Sequence, residues 1–407
     1  MLIKSCSIVV TQNPKREILR DVDIVVEEGR IKEIGTNRTG EPVINGKGKV
    51  WLPGLINTHA HIGMHLLRGI CDDEELPVWL DKVTKAEAKL SEEDVQDGAV
   101  IGIQEMLTTG TTTFVEMYWP MGPVLRAVKK HRIRAVLFPT WADALPNVGG
   151  DMNSELKRIL KEVKDIPHIK VGIGAHSIYS VTDERIRKMY SAANQMTSTF
   201  AIHLAETRSE RVNCFKEHGK LPVEYADSLG VLSSNTLIAH AVWLTKAEIR
   251  LLGERGVKVS HNPVSNLKLA GGGVMPLPEM WDAGICVGLG TDSVASNNSM
   301  DLFEAMKVTG LIHKHHRWDA KTAPVQRILD MGTIDGARCL GMEQEIGSLE
   351  QGKWADIISI PLDHARMQPC NNVISNLVYA VNGSCVSDVL VAGEFAVREG
   401  IMMQALQ

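Results

Sequence analysis

The middle of this 407-residue chain alternates short apolar runs with amphipathic stretches, and this alternation limits the fold more than any other feature. Eight runs stand out, at 50–56, 111–117, 134–140, 169–175, 200–204, 236–241, 257–260 and 285–290. Helix-like segments such as 94–107, 183–194 and 246–254 lie between them. A strand-then-helix pattern repeated in this way implies a parallel sheet with helical crossovers. Eight units over roughly 280 residues match the size of an α/β fold of the (β/α)8, TIM-type barrel class. A doubly wound open sheet is the alternative. It is disfavoured because no Gly-rich phosphate loop follows the first run, and Gly271-Gly272-Gly273 lacks the strand-to-helix setting of a dinucleotide site.

The two ends read differently. Segments 7–11 and 23–27 are β-rich, and the Glu28-Gly29-Arg30 turn leads into 31–35. After 345, strand-like segments recur at 346–349, 355–360, 386–391 and 394–397, with Ala392-Gly393 as a turn. Residues 1–55 and 345–407 are expected to meet in a small β-sandwich domain, with the barrel, 56–344, inserted between them.

The polar residues that end the runs carry the chemistry. Run one ends in His59 and His61, run four in His176, and run five in His203 with Glu206 three residues on. Runs six, seven and eight end in His240, His261 and Asp292. In a β/α barrel the strand C-termini form the active face, so these groups should converge. His59 and His61 are two apart and share one side of a strand. A single histidine at such a place is ordinarily a core or loop residue, but that does not account for this many at equivalent strand ends. By the same standard His65, His131, His168, His218, His313, His315, His316 and His364 read as helix-surface or loop residues without partners.

Three histidines and an aspartate suit zinc or a similar divalent ion. Such an ion lowers the pKa of a bound water from 15.7 to roughly 7. A neighbouring acid/base group, for which Glu206 is the candidate, contributes about 10²–10⁴-fold in rate. The competing reading of Glu206 is a helix-start carboxylate.

Composition narrows the partners. The net charge is −5, and no basic stripe interleaved with aromatics suggests a nucleic acid. His313-Lys314-His315-His316-Arg317, the most basic stretch, reads as a solvated helix end. Seven cysteines are scattered without a C-x-x-C pair, which fits a reducing, cytoplasmic setting. No signal-peptide pattern opens the chain, and no apolar run is long enough to span a membrane.

Several motifs carry a family resemblance. They are Pro53-Gly54-Leu55-Ile56-Asn57-Thr58-His59-Ala60-His61, His203-Leu204-Ala205-Glu206-Thr207, Ala239-His240, Ser260-His261-Asn262-Pro263, Gly290-Thr291-Asp292 and Gly347-Ser348-Leu349-Glu350-Gln351-Gly352-Lys353-Trp354-Ala355-Asp356. With these the chain resembles the amidohydrolase superfamily over nearly its whole length. Leu66-Leu67-Arg68-Gly69, the Trp79-Leu80 region, Ser265-Asn266-Leu267-Lys268-Leu269 and Ala295-Ser296-Asn297-Asn298-Ser299 are similar to the deaminase and chlorohydrolase branch. Within that branch the chain is most similar to the 5-methylthioadenosine/S-adenosylhomocysteine deaminases.

The resemblance implies one divalent ion held by His59, His61, His203 and Asp292, with zinc the default and iron or manganese compatible. His176, where another branch would offer a bridging lysine, fits one metal rather than two. Catalysis would fall to Glu206 as proton shuttle, His240 as polarising group and Asp292. His176 and Glu206 would meet the base, Glu87 the ribose hydroxyls, and Trp79 would line the pocket. The implied reaction is hydrolytic deamination of 5-methylthioadenosine, 5′-deoxyadenosine, adenosine or S-adenosylhomocysteine to the inosine analogue and ammonia, by a homo-oligomer. The alternative is a hydrolase of guanine, a pterin, cytosine or an s-triazine. A non-catalytic barrel is disfavoured, since every ligand and the shuttle are present. Two departures matter. Ser177-Ile178-Tyr179 stands where the family has Ser-Pro-Tyr, and segment 140–154 holds no arginine, which tilts the reading away from S-adenosylhomocysteine.

Overall fold

The computed structural model describes residues 1–74, 76–143 and 151–403. Eight parallel strands close into a barrel: β1 (Leu55–Ala60), β2 (Thr111–Tyr118), β3 (Arg134–Trp141), β4 (Ile173–Ser177), β5 (Phe200–Leu204), β6 (Thr236–His240), β7 (Lys258–His261) and β8 (Val287–Leu289). β8 returns to β1 with Leu289 opposite Asn57, and β3 meets β4 with Thr140 opposite Gly174. This closure excludes the open-sheet alternative.

Two apolar runs divide where the pattern gave one element. Run four splits at Gly172 into a short strand, Ile169–Val171, and β4. A Cβ at Gly172 would lie 2.3 Å from the Phe138 ring and 2.6 Å from the Thr199 carbonyl, so the chain passes there only as glycine. Run one straddles two sheets. Lys49–Pro53 belongs to the terminal sheet and β1 to the barrel. The change falls at Gly54, where a Cβ would meet Thr112 Oγ1 at 2.1 Å.

The chain ends build one nine-stranded sheet. The N-terminal part supplies Leu2–Val10, Ile18–Glu27, Arg30–Gly35, Val43–Asn45 and Lys49–Pro53. The C-terminal part supplies Ile357–Pro361, Asp388–Val391, Glu394–Arg398 and Ile401–Met402. Lys49–Pro53 and Ile357–Pro361 pair antiparallel and join the two halves. The turn at Gly29 meets the turn at Ala392, closing the sheet around Ile3, Val9, Ile24, Ile31, Trp51 and Leu390. Segment 346–349, expected as strand, is a bend instead: Gly347 has φ +86°, and the Leu349 N–H donates to the Thr11 carbonyl.

Barrel and terminal sheet share a buried ion pair. Arg134 in β3 donates to Asp356 from Nε at 2.9 Å and from Nη2 at 3.2 Å, with both side chains almost wholly buried. Removing one partner from such a pair costs about 3–5 kcal/mol, because a charge is left alone in the interior.

Three histidines expected on the surface or in loops are buried. His313 is fully buried, its Nε2 3.2 Å from His261 Nε2. The helix Leu302–Arg317 turns that position toward the barrel along with Leu302, Met306 and Thr309, while His315 and His316 are exposed as expected. His65 is buried against Glu105 at 3.3 Å. His131 is buried and donates from Nδ1 to the Ala127 carbonyl. Among the described residues no helix is long and apolar enough to cross a membrane.

Candidate active site

Most of the expected residues gather at the C-terminal mouth of the barrel: His59 and His61 at the end of β1, His176, His203 and His240 at the ends of β4, β5 and β6, and Asp292 just past β8, while His261 at the end of β7 faces His313 instead. Two overlapping groups of ligand atoms form there, His59 with His61 and Asp292, and His59 with His203 and His240. Within each group the atoms lie within 4.8 Å of one another.

The backbone is held for this purpose. His240 and Asp292 end β6 and follow β8 with φ of +76° and +63°, and Ala205, just past β5, has +55°. Such left-handed non-glycine residues persist only where the surroundings over-determine them. Here the Asp292 N–H donates to the His59 carbonyl, so β1 fixes the turn after β8.

Hydrogen bonds show which ring nitrogens are free. His61 donates from Nδ1 to the Met117 carbonyl at 2.6 Å, and His203 from Nδ1 to the His176 carbonyl at 2.7 Å. Burial first, then the nearness of the other imidazoles, keeps His59 and His203 well below the ordinary imidazole range, hence neutral. With each Nδ1 given to a carbonyl, the Nε2 atoms of His61 and His203 face each other 3.3 Å apart and are the atoms left to ligate. His59 Nε2 is buried without any hydrogen-bond partner. Asp292 Oδ1 stands 3.4 Å from His61 Nε2 and 3.7 Å from His59 Nε2. Ligands about 2.1 Å from a tetrahedral ion are spaced by about 3.4 Å, so this donor set fits a divalent metal. Ser265 and the Ser293 N–H donate to Asp292 at 2.6 and 2.7 Å and fix its orientation.

Glu206 lies beside this cup, its Oε1 3.8 Å from His240 Nε2. It precedes the helix Arg208–His218, whose N-cap is Thr207, so the helix-start reading does not apply to it. Burial raises its carboxyl above the usual range, Asp292 adding to the shift and His240 and His61 opposing it.

Above the cup opens a cavity of about 470 Å³, within the range of small-molecule sites. Trp79, Glu87, His176 and Glu206 all line it, along with His61, His203, His240 and Asp292. His176 Nδ1 bonds Ser180 Oγ at 2.7 Å, and burial pushes the ring down to about 4. Glu87, the last residue of the helix Leu76–Glu87, hydrogen-bonds Tyr118. Burial raises Glu87, against the Tyr118 bond and His61. His218, expected on a surface without partners, lines the outer cavity and stacks on Tyr225 with centroids 3.8 Å apart.

Several supporting residues were not singled out from the sequence for a role. Glu210 accepts the N–H groups of Ala205 and Glu206. Asn262 and Asn266 meet His240 Nδ1 at 3.3 and 2.9 Å. Asn262, Ser265 and Asn266 sit inside motifs the family resemblance quoted, but nothing in their spacing pointed to these bonds. Of the segment 140–154, residues 144–150 lie outside the described residues.

Comparison with known proteins agrees with this geometry. The sequence profile of the amidohydrolase family matches residues 50–396. The chain is 38% identical over 395 residues to a 5′-deoxyadenosine deaminase of Methanosarcina barkeri, covering 95% of this chain and 90% of that protein. It is 37% identical over 400 residues to a 5-methylthioadenosine/S-adenosylhomocysteine deaminase of Thermococcus onnurineus, covering 97% and 93%. A zinc-bound adenosine deaminase from Xanthomonas campestris superposes with a TM-score of 0.94 at 32% identity, over 99% of this chain and 94% of that one. A closed barrel with clustered imidazoles at its mouth and a profile match over most of the sequence lead to one assignment: the chain belongs to the amidohydrolase family.

Proposed function

We propose that this protein is a metal-dependent aminohydrolase that removes the 6-amino group of a 5′-modified adenine nucleoside. The observation that carries the reading is the buried cup of His59, His61, His203 and Asp292, with Glu206 beside it at the floor of a nucleoside-sized cavity. The relatives named as deaminases of 5′-deoxyadenosine and 5-methylthioadenosine support the substrate class. Residues 56–344 are assigned as the catalytic barrel, and 1–55 with 345–407 as its flanking β-domain.

The four cup residues would hold the ion, zinc being the first choice for three imidazoles and a carboxylate. When bound, the ion supplies a water that ionises near neutral pH. Glu206 is placed to take up a proton and return it to ring N1, a role that its carboxyl, raised by burial, suits. His240 would donate to the oxygen that attacks C6, and Asp292 would accept its proton and orient it. His176 faces the base, Trp79 walls it, and Glu87 accepts from the ribose hydroxyls. Ammonia leaves and the inosine analogue remains.

The lining favours small, uncharged 5′-substituents. Five carboxylates, Glu87, Glu206, Glu210, Glu217 and Asp292, and no lysine or arginine line the described cavity. Residues 144–150 contain neither cation. The amino-acid carboxylate of S-adenosylhomocysteine would thus lack a partner. Seven free cysteines support a cytoplasmic setting. Exposed apolar side chains such as Trp318, Tyr179 and Phe215 support self-association.

The test is ammonia release from adenosine, 5-methylthioadenosine, 5′-deoxyadenosine, S-adenosylhomocysteine, guanine and a chlorotriazine, with metal content measured on the same sample. The expected result is one metal per chain and highest kcat/KM on the two small 5′-modified nucleosides. Turnover of guanine or the triazine alone would overturn the reading.

A further inference from the structure

His240 sits among four clustered imidazoles, and distance alone does not separate it from the ligands, since His59, His203 and His240 form one of the two ligand groups. Its hydrogen bonds do. Where His61 and His203 give their Nδ1 protons to carbonyls, His240 Nδ1 faces two side-chain amides, Asn262 Nδ2 at 3.3 Å and Asn266 Nδ2 at 2.9 Å.

Behind Asn262 the network continues. Ser260 Oγ donates to Asn262 Oδ1 at 3.2 Å, and Thr58 Oγ1 lies 2.6 Å from Ser260 Oγ. With the Ser260 proton committed to Asn262, Thr58 is the donor to Ser260. The Asn262 oxygen is then occupied, and its NH₂ group is left for His240. An amide N–H only donates, so Nδ1 must accept, and the one proton of a neutral ring goes to Nε2. Thr58, Ser260, Asn262 and Asn266 are all buried. Space for them is made by glycine. A Cβ at Gly288 would lie 2.6 Å from Thr58 Cγ2, and one at Gly290 would lie 2.3 Å from Asn262 Oδ1 and 2.7 Å from Ser260 Oγ.

We propose that Thr58, Ser260, Asn262 and Asn266 form a buried relay that fixes His240 as its Nε2–H tautomer. This excludes His240 from the ligand set and makes it a hydrogen-bond donor. The Nε2–H lies 3.8 Å from Glu206 Oε1 and 4.0 Å from Asp292 Oδ2, where the attacking oxygen must pass. The four are positioning residues, acting on the reaction through His240. What the donor does next rests on the deaminase reading; the tautomer does not.

The test is the nitrogen spectrum of zinc-loaded protein carrying ¹⁵N-histidine, with His240→Gln identifying the His240 signals. The expected result in the unaltered protein is a protonated Nε2 and an unprotonated Nδ1. Asn266→Asp keeps the shape but can only accept, so the ring proton should move to Nδ1. In that variant kcat should fall about 100-fold while KM and zinc content hold, and Asn266→Gln should recover part of the loss. His240 protonated at Nδ1 in the unaltered protein overturns the relay, as does Asn266→Asp with tautomer and kcat unchanged. A protein with the Nε2–H tautomer that releases no ammonia from any nucleoside supports the relay and overturns the deaminase reading.

Discussion

Glu210 holds Glu206 by its backbone: the Glu210 carboxylate accepts the Glu206 N–H at 2.8 Å and the Ala205 N–H at 2.9 Å. Ala205 is in the left-handed region at φ +55°, so the turn that aims Glu206 at the cup is strained and pinned from one side chain. Burial pushes Glu210 up to about 7 in spite of these bonds, with nearby Glu206 adding to the rise. Glu210→Ala should leave two buried N–H groups unpaired, at about 1–3 kcal/mol each. A lowered Tm and a kcat reduced more than KM is the expected pattern, with Glu210→Gln milder because one acceptor oxygen remains. Thermal unfolding with steady-state kinetics measures both. An alanine variant unchanged in Tm and kcat would show that the turn needs no such anchor.

Glu206 itself should separate metal binding from turnover. It is not within the close cluster of ligand atoms, and among the described residues it has no side-chain hydrogen bond that a glutamine would disturb. Glu206→Gln is therefore expected to retain the metal and lose about 10²–10⁴-fold in kcat. His61→Ala should instead lose the metal, since it removes one of the cup's four ligands. Metal analysis beside a kcat measurement distinguishes the two, and near-normal turnover in Glu206→Gln would rule out the shuttle role.

Glu87 and Tyr118 predict a difference between nucleosides and free bases. Their hydrogen bond lies on the wall of the cavity that the cup opens into, near His61. A carboxylate there can accept from ribose hydroxyls, a charge-assisted contact of about 1.5–3 kcal/mol. Glu87→Ala should raise KM for a nucleoside by roughly 10–100-fold, while leaving KM for adenine nearly unchanged. Equal effects on nucleoside and base would exclude the ribose contact.

What the sequence made legible follows from barrel geometry. His59, His61, His176, His203, His240 and Asp292 could be grouped because a parallel barrel brings its strand C-termini to one rim, so a polar residue ending an apolar run already has a place in space. Run one could not be divided, because residues on both sides of Gly54 are equally apolar and hydropathy does not record which sheet a strand joins. His313 was misread because the charged tail of its helix hid the buried face it continues. Asn262, Asn266 and Glu210 had no legible role, since a residue that orients another is defined by a hydrogen bond across the fold rather than by spacing along the chain.

Glu116 makes the last prediction, on pH. It is fully buried in β2 and accepts the N–H groups of Ile62 and Gly63 at 2.8 and 3.1 Å, at the start of the short helix Ile62–Leu67 that follows His61. Burial pushes its carboxyl up to about 8, the two N–H bonds opposing. An unfolded glutamate titrates near 4.3. Between these values the folded chain holds a proton that the unfolded chain has lost, so stability must fall as pH rises through the window, by at most about 1.4 kcal/mol per pH unit. Below about pH 4 both states are protonated and the effect vanishes. Glu116→Gln cannot ionise and should escape this loss. Denaturant midpoints measured from pH 5 to pH 8 should therefore diverge, the glutamine variant gaining on the unaltered protein as pH rises. Parallel curves across that range would mean that Glu116 is ionised in the folded protein throughout, its two backbone donors outweighing its burial.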